Sequence, residues 1–170
     1  MSAARHDLRI GPWMPVWVLG AVMVLVGVGT ALVLGGPLFW VGMVAAATII
    51  GVVVPRLLTA WGAAALVGLT LLFGPVDGAR TALAVFGVHL LVVLASLVLP
   101  FPLGGRIALS ALRASGVRFL TIQVPAQLLG LLATLIAGSA GGVSFGWLAP
   151  AGAAVVVALV LLTVRVAGRR

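Results

Sequence analysis

Residues 100–118, PFPLGGRIALSALRASGVR, divide the chain. This is the longest connection between apolar runs, and it carries Arg106, Arg113 and Arg118 with no acid. Before it lie four long apolar runs, and after it two, each separated by Gly, Pro or Arg. Long apolar runs with such punctuation mark helices that cross a lipid bilayer. The expected fold is therefore an all-α integral membrane protein, a bundle of six transmembrane helices.

Composition supports that class. Of 170 residues, 64% are hydrophobic and 7% charged, against roughly 25% charged in a soluble domain. Six spans of about 20 residues leave little chain for an extramembrane domain. The expected layout is a polar cytoplasmic head over 1–15, four spans within 16–99, the basic connection 100–118, two spans within 119–164, and a basic tail over 165–170.

The individual spans follow from the breaks. The first covers about 16–34. It is too long for the usual apolar core of a signal peptide and is expected as a retained span. Trp13 and Trp17 flank Pro15 at its entry, where indole rings favour the headgroup level. Gly35-Gly36-Pro37 makes a turn. The second and third spans, 38–54 and 57–73, are near the lower length limit for crossing. Two short spans are favoured over a re-entrant segment, because an arginine such as Arg56 at a span centre costs about 2.5–3.5 kcal/mol. Asp77-Gly78 marks a polar turn in which Asp77 and Arg80 can pair. The fourth span is 81–99, the fifth 119–136 and the sixth 147–164. Arg106, Ser110 and Arg113 would share one face of a helix, so the connection reads as either a short interfacial helix or a plain loop.

Orientation follows from the arginines. All ten basic residues are arginine. With the N-terminus inside and six spans threaded, nine of them fall on the cytoplasmic side and only Arg80 outside. The positive-inside rule then sets both termini in the cytoplasm of a cell (inner) membrane. The arginine-only basic set with abundant Ala, Val and Gly points to a GC-rich bacterial source. Nucleic-acid binding is excluded as a reading of the +8 charge, because the arginines sit at the ends of apolar runs and not on one solvated face beside aromatic platforms.

Packing signals are generic. Small residues recur four apart at Ala60, Ala64 and Gly68, at Ala126, Gly130, Thr134 and Gly138, and at Gly42 and Ala46. Such faces let helices approach closely in lipid. Pro15 to Gly20 and Gly35 to Phe39 faintly echo Pro125 to Gly130 and Gly141 to Phe145, without a strict register.

Few polar groups fall inside the spans. His89 is the one ionisable candidate, with Gln123 and Gln127 as its polar companions. An intramembrane ionisable group is a functional hypothesis by default. Counted from the span ends, His89 and Gln127 each lie about 12 Å deep from opposite sides. In a core about 30 Å thick they differ in depth by roughly 6 Å, so a hydrogen bond between them is within reach if the fourth and fifth spans are neighbours. The group reads either as a structural interhelical contact or as the lining of a small-solute or proton path.

Enzyme chemistry finds no footing. There is no Cys, Lys, Glu or Tyr, so thiol catalysis, Cys-ligated metals and disulfides are excluded. Two His and two Asp do not build a convincing metal site, and no cofactor is expected. The only Gly-x-Ser-x-Gly-like stretch, around Ser144, follows His89 and lies on another part of the chain. The leading expectation is a non-catalytic membrane subunit, a scaffold or accessory component. Its partners would be membrane lipid and either a membrane-protein partner or a second copy, with Arg106, Arg113 and Arg118 as the partner or anionic-lipid surface. The alternative is the substrate-binding membrane subunit of a small-solute transporter, with a mid-depth pocket near His89, Gln127, Trp40 and Trp61.

Overall fold

The computed structural model describes residues 12–75 and 77–139, with side-chain surroundings up to residue 136. The described chain is mostly helical. It runs as β1 (Trp13–Pro15), α1 (Val16–Val33), α2 (Leu38–Val53), α3 (Thr59–Leu69), α4 (Gly78–Val98), β2 (Arg106–Ala108) and α5 (Leu109–Ser139). Short 3-10 turns, Pro55–Leu57 and Thr70–Phe73, bracket α3. The expected sixth span, the tail over 165–170, most of the head and the Gly141 to Phe145 echo lie outside the described residues.

Three helices are long and apolar enough to cross a membrane: Val16–Val33, Gly78–Val98 and Leu109–Ile136. The helices Leu38–Val53 and Thr59–Phe73 are apolar but shorter. The chain thus has the make-up of a membrane-associated protein.

Each helix end has a local cause. Pro15 and Pro37, both extended, precede α1 and α2, where a missing N–H costs nothing because the first helical donors have no intrahelical partner. One of those donors, Val16 N–H, bonds Gly105 O instead. The far end of α1 closes in a Schellman motif. Gly35 takes φ +72°, its N–H bonds Leu32 O, and Gly36 N–H bonds Ala31 O, the two reversed bonds that satisfy terminal carbonyls. Asp77 caps α4, its Oδ1 accepting from Ala79 N–H at 3.2 Å. This cap starts α4 at Gly78 and not at 81 as expected from the sequence. It also replaces the expected Asp77–Arg80 pairing. Arg80 turns to two carbonyls, Pro75 O at 2.8 Å and Leu34 O at 2.6 Å, and so ties the start of α4 to the end of α1.

Helices α1 to α4 form an up-and-down bundle in which α1 and α3 each pack between α2 and α4. Met23, Val44, Val67 and Leu91, one from each helix, are fully buried. Close approach rests on glycines. A Cβ on Gly51 would lie 2.6 Å from Ala60 N, and one on Gly87 would lie 2.6 Å from Thr30 Cγ2. These are the α2–α3 and α4–α1 crossings. The expected stripe of Ala60 and Ala64 is buried, but Gly42 and Ala46 face outward. The inward line of α2 is Val41, Val44, Thr48 and Gly51, and Gly42 and Ala46 fall off it.

Trp40 fixes α2 to α3 near the Gly35 turn. Its indole N–H is shared between Leu66 O at 3.0 Å and Thr70 Oγ1 at 3.1 Å, and its ring meets Phe73 edge-on at 5.1 Å. At the other end Leu58 enters α3 with φ +55°, a left-handed conformation that burdens a side chain bearing a Cβ.

The basic connection departs from both expected forms. Pro100 to Gly105 turns. Arg106–Ala108 then pairs antiparallel with Trp13–Pro15, Trp13 facing Ala108 and Pro15 facing Arg106. Leu109 N–H closes the ribbon on Pro12 O. The helix that follows does not wait for residue 119. It begins at Leu109 and continues through Pro125 to Ser139, because no breaker stands between Leu109 and the expected span, and Gly116 alone does not stop a helix.

Two substitutions check this packing by thermal unfolding in detergent. Gly51→Val is expected to cost about 1–3 kcal/mol through overpacking, whereas Gly42→Val, with open space at its Cβ, leaves stability within about 0.5 kcal/mol. At the strained entry to α3, Leu58→Gly is expected to raise stability by about 1 kcal/mol and Leu58→Val to lower it.

Candidate functional site

His89, Gln123 and Gln127 lie on one seam between α4 and α5. On α4 the residues Ala82, Phe86 and His89 recur at helical spacing. On α5 Phe119, Gln123 and Gln127 do the same, and residues four apart share a face. The contacts run antiparallel. Ala82 meets Gln127 at one end, while Phe86 and His89 meet Phe119 and Gln123 at the other.

The central contact is His89 Nδ1 to Gln123 Oε1 at 2.7 Å. With Oε1 toward the ring the carbonyl accepts and Nδ1 donates; with the amide turned over the roles reverse. Phe119 lies against the imidazole with ring centroids 4.8 Å apart, and Phe86 meets Phe119 edge-on at 5.6 Å. Gln127 does not reach His89. Its amide donates to Ala82 O at 2.9 Å. With the fifth span beginning at Phe119, a bond between His89 and Gln127 is expected to be within reach. The helix starts at Leu109, and in that register Gln123 comes level with His89.

Gln123 is 4% exposed, and its Nε2 is buried without a hydrogen-bond partner. Turning the amide over would put Nε2 on the imidazole and leave Oε1 alone, so one of its two polar atoms stays unmatched in either orientation. An unmatched buried donor costs about 1–3 kcal/mol. The seam therefore combines two good hydrogen bonds with one open valence. Chemically it can hold two helices in register and accept or donate one further bond. Trp40 and Trp61 do not join it. Trp40 is engaged with Leu66, Thr70 and Phe73, and Trp61 is 43% exposed on the outer surface.

Beyond this seam α5 is little covered. Of its apolar stretch 11% is buried, against 39% for α1. Gly130 and Thr134, expected on a packing stripe, are exposed, and Ala126 is half-buried.

The three connection arginines are exposed and stand on two different elements. Arg106 lies on β2 with its guanidinium carbon 4.0 Å from the centroid of the Trp13 ring, while Arg113 and Arg118 lie on α5. The stacking of Arg106 on Trp13 was not legible in the sequence, since it depends on the register of the ribbon. The signal that could have found it is the β-branched and small run Arg106-Ile-Ala together with the proline-bounded Trp13-Met-Pro.

The His89–Gln123 contact is measurable by a double-mutant cycle on unfolding in detergent. His89→Leu is expected to destabilise by about 1–3 kcal/mol, since it strands the whole Gln123 amide. The pair His89→Leu with Gln123→Leu recovers part of that loss, with a coupling of about 0.6–1.7 kcal/mol. Strictly additive single effects would remove the contact from the account.

Comparison with protein-family models, with curated proteins and with solved structures finds no match to this chain, so its function is argued from the geometry above.

Proposed function

We propose that this chain is a non-catalytic, six-span subunit of a membrane protein complex, a scaffold or accessory component with both termini in the cytoplasm. The observation that carries the reading is α5. It is a long apolar helix attached to the bundle along one narrow polar seam, with Leu120, Leu128 and Leu129 more than half exposed. In a bilayer such a face meets lipid or another helix. In the four-helix bundle, by contrast, Met23, Val44, Val67 and Leu91 are fully buried and apolar, which favours a framework over a solute path.

The ribbon supports the threading. It brings residue 13 and residue 106 to the same end of the bundle. Same-side placement requires an even number of crossings between them, and four crossings use α1, α2, α3 and α4 in turn. Arg56 and Arg106 then share that end, with Arg80 at the other, which is the charge asymmetry of an inward-facing basic side. The segment 147–164 supplies the sixth span in this reading and returns the terminal arginines to the cytoplasm.

The absence of cysteine makes the topology directly testable. Single-cysteine variants at Asp77, Gly104 and Ser2 are treated on intact cells with a membrane-impermeant maleimide. Labelling is expected at position 77 only. Labelling at 104 overturns the orientation, and labelling at 104 with protection at 77 reverses it. Affinity purification of the tagged chain in mild detergent, with mass spectrometry, tests the subunit reading. A stoichiometric membrane-protein partner or a second copy is expected. A lone, stable monomer would speak against it.

A further inference from the structure

At the basic end of the bundle Arg106 differs from its neighbours in being held in place. Its guanidinium carbon lies over the Trp13 ring, 4.0 Å from the centroid. Both residues stand on the two-stranded ribbon, where Trp13 faces Ala108 and Arg106 is the diagonal neighbour. Such diagonal pairs lie within reach of aromatic and long side chains. Stacking uses one face of the guanidinium and leaves its N–H edge available. Among the described residues the Arg106 guanidinium makes no hydrogen bond or ion pair. Asp77, the one described acid, caps α4 at the opposite end of the bundle.

We infer that the Trp13–Arg106 pair is a seat for the phosphate of an anionic phospholipid headgroup. A guanidinium fork pairs with phosphate through two parallel bonds, and a fork already oriented loses less freedom in doing so. The position selects lipid over a soluble phosphate. Pro15 leads directly into the spanning helix α1 at Val16, so the guanidinium is only a few residues from the edge of the apolar stretch. Trp13 and Trp17 are 45% and 60% exposed beside it, and exposed indoles settle at the headgroup level. Arg113, one helical turn into α5, adds positive charge on the same side. The inference rests on the reading that this end faces the anionic inner leaflet, but it is tested on the isolated chain, independently of any protein partner.

The experiment is native mass spectrometry of the full chain released from nanodiscs of phosphatidylcholine mixed with phosphatidylglycerol. The wild-type chain is expected to retain phosphatidylglycerol over phosphatidylcholine by on the order of fivefold. Arg106→Gln and Trp13→Ala are each expected to abolish most of that preference. Arg56→Gln, which removes the same charge from the same end, is expected to keep it. Circular dichroism and melting in detergent establish that each variant is folded, and Arg106→Lys supplies a second, milder variant with the charge kept and the fork lost. Equal loss in Arg56→Gln overturns the seat in favour of diffuse surface charge. No preference in the wild type also overturns it. Displacement of the retained lipid by inorganic phosphate would assign the site to a soluble anion.

Discussion

The antiparallel pairing of Trp13–Pro15 with Arg106–Ala108 is the constraint on which the rest of the arrangement depends. Six residues fasten the entry of the first helix to the entry of the last described one. The pairing fixes the register of α5, because the helix starts one residue after the strand ends. That register brings Gln123 level with His89 and Gln127 level with Ala82. It also gives Val16 N–H an acceptor at Gly105 O, so that a helix start with a proline cap is not left with that donor open. In an apolar medium such unmatched backbone groups cost several kcal/mol, which makes a small ribbon at a helix mouth a considerable influence.

Much of the fold was legible in the sequence, for a plain physical reason. Apolar runs of bilayer length have few other destinations, and Gly35, Pro37, Pro55 and Pro100 punctuate them where helices do end or turn. What was not legible depended on pairing across distance. The ribbon brings together segments too short to carry a pattern of their own. The start of α4 moved because the Asp77 side chain caps it, and Arg80 reaches a carbonyl on a different helix. Among small residues, four-residue spacing finds a face but not which face turns inward. Gly51 and Gly87, which belong to no conspicuous stripe, make close approaches to neighbouring helices, whereas Gly42 points away.

The polar seam was legible in kind and not in detail. The amides and the imidazole were conspicuous against an apolar background, and His89 does meet a glutamine of the next long helix. Which glutamine it meets was decided by where α5 begins. The open valence on Gln123 is a property of three-dimensional packing alone. It gives the α4–α5 contact a different character from the glycine crossings, which depend on shape: the seam depends on hydrogen bonds, few in number and strong in an apolar surrounding.

The ribbon also orders events during synthesis. Its first strand emerges before α1, and its second only after α1 to α4 have been made. Until residue 108 is available, the edge of Trp13–Pro15 and the Val16 donor lack the partners they have in the folded chain, so α1 forms with its mouth open. Closure of this long-range pairing is therefore a late step, and the entry of α1 is fastened only when Arg106–Ala108 pairs with Trp13–Pro15.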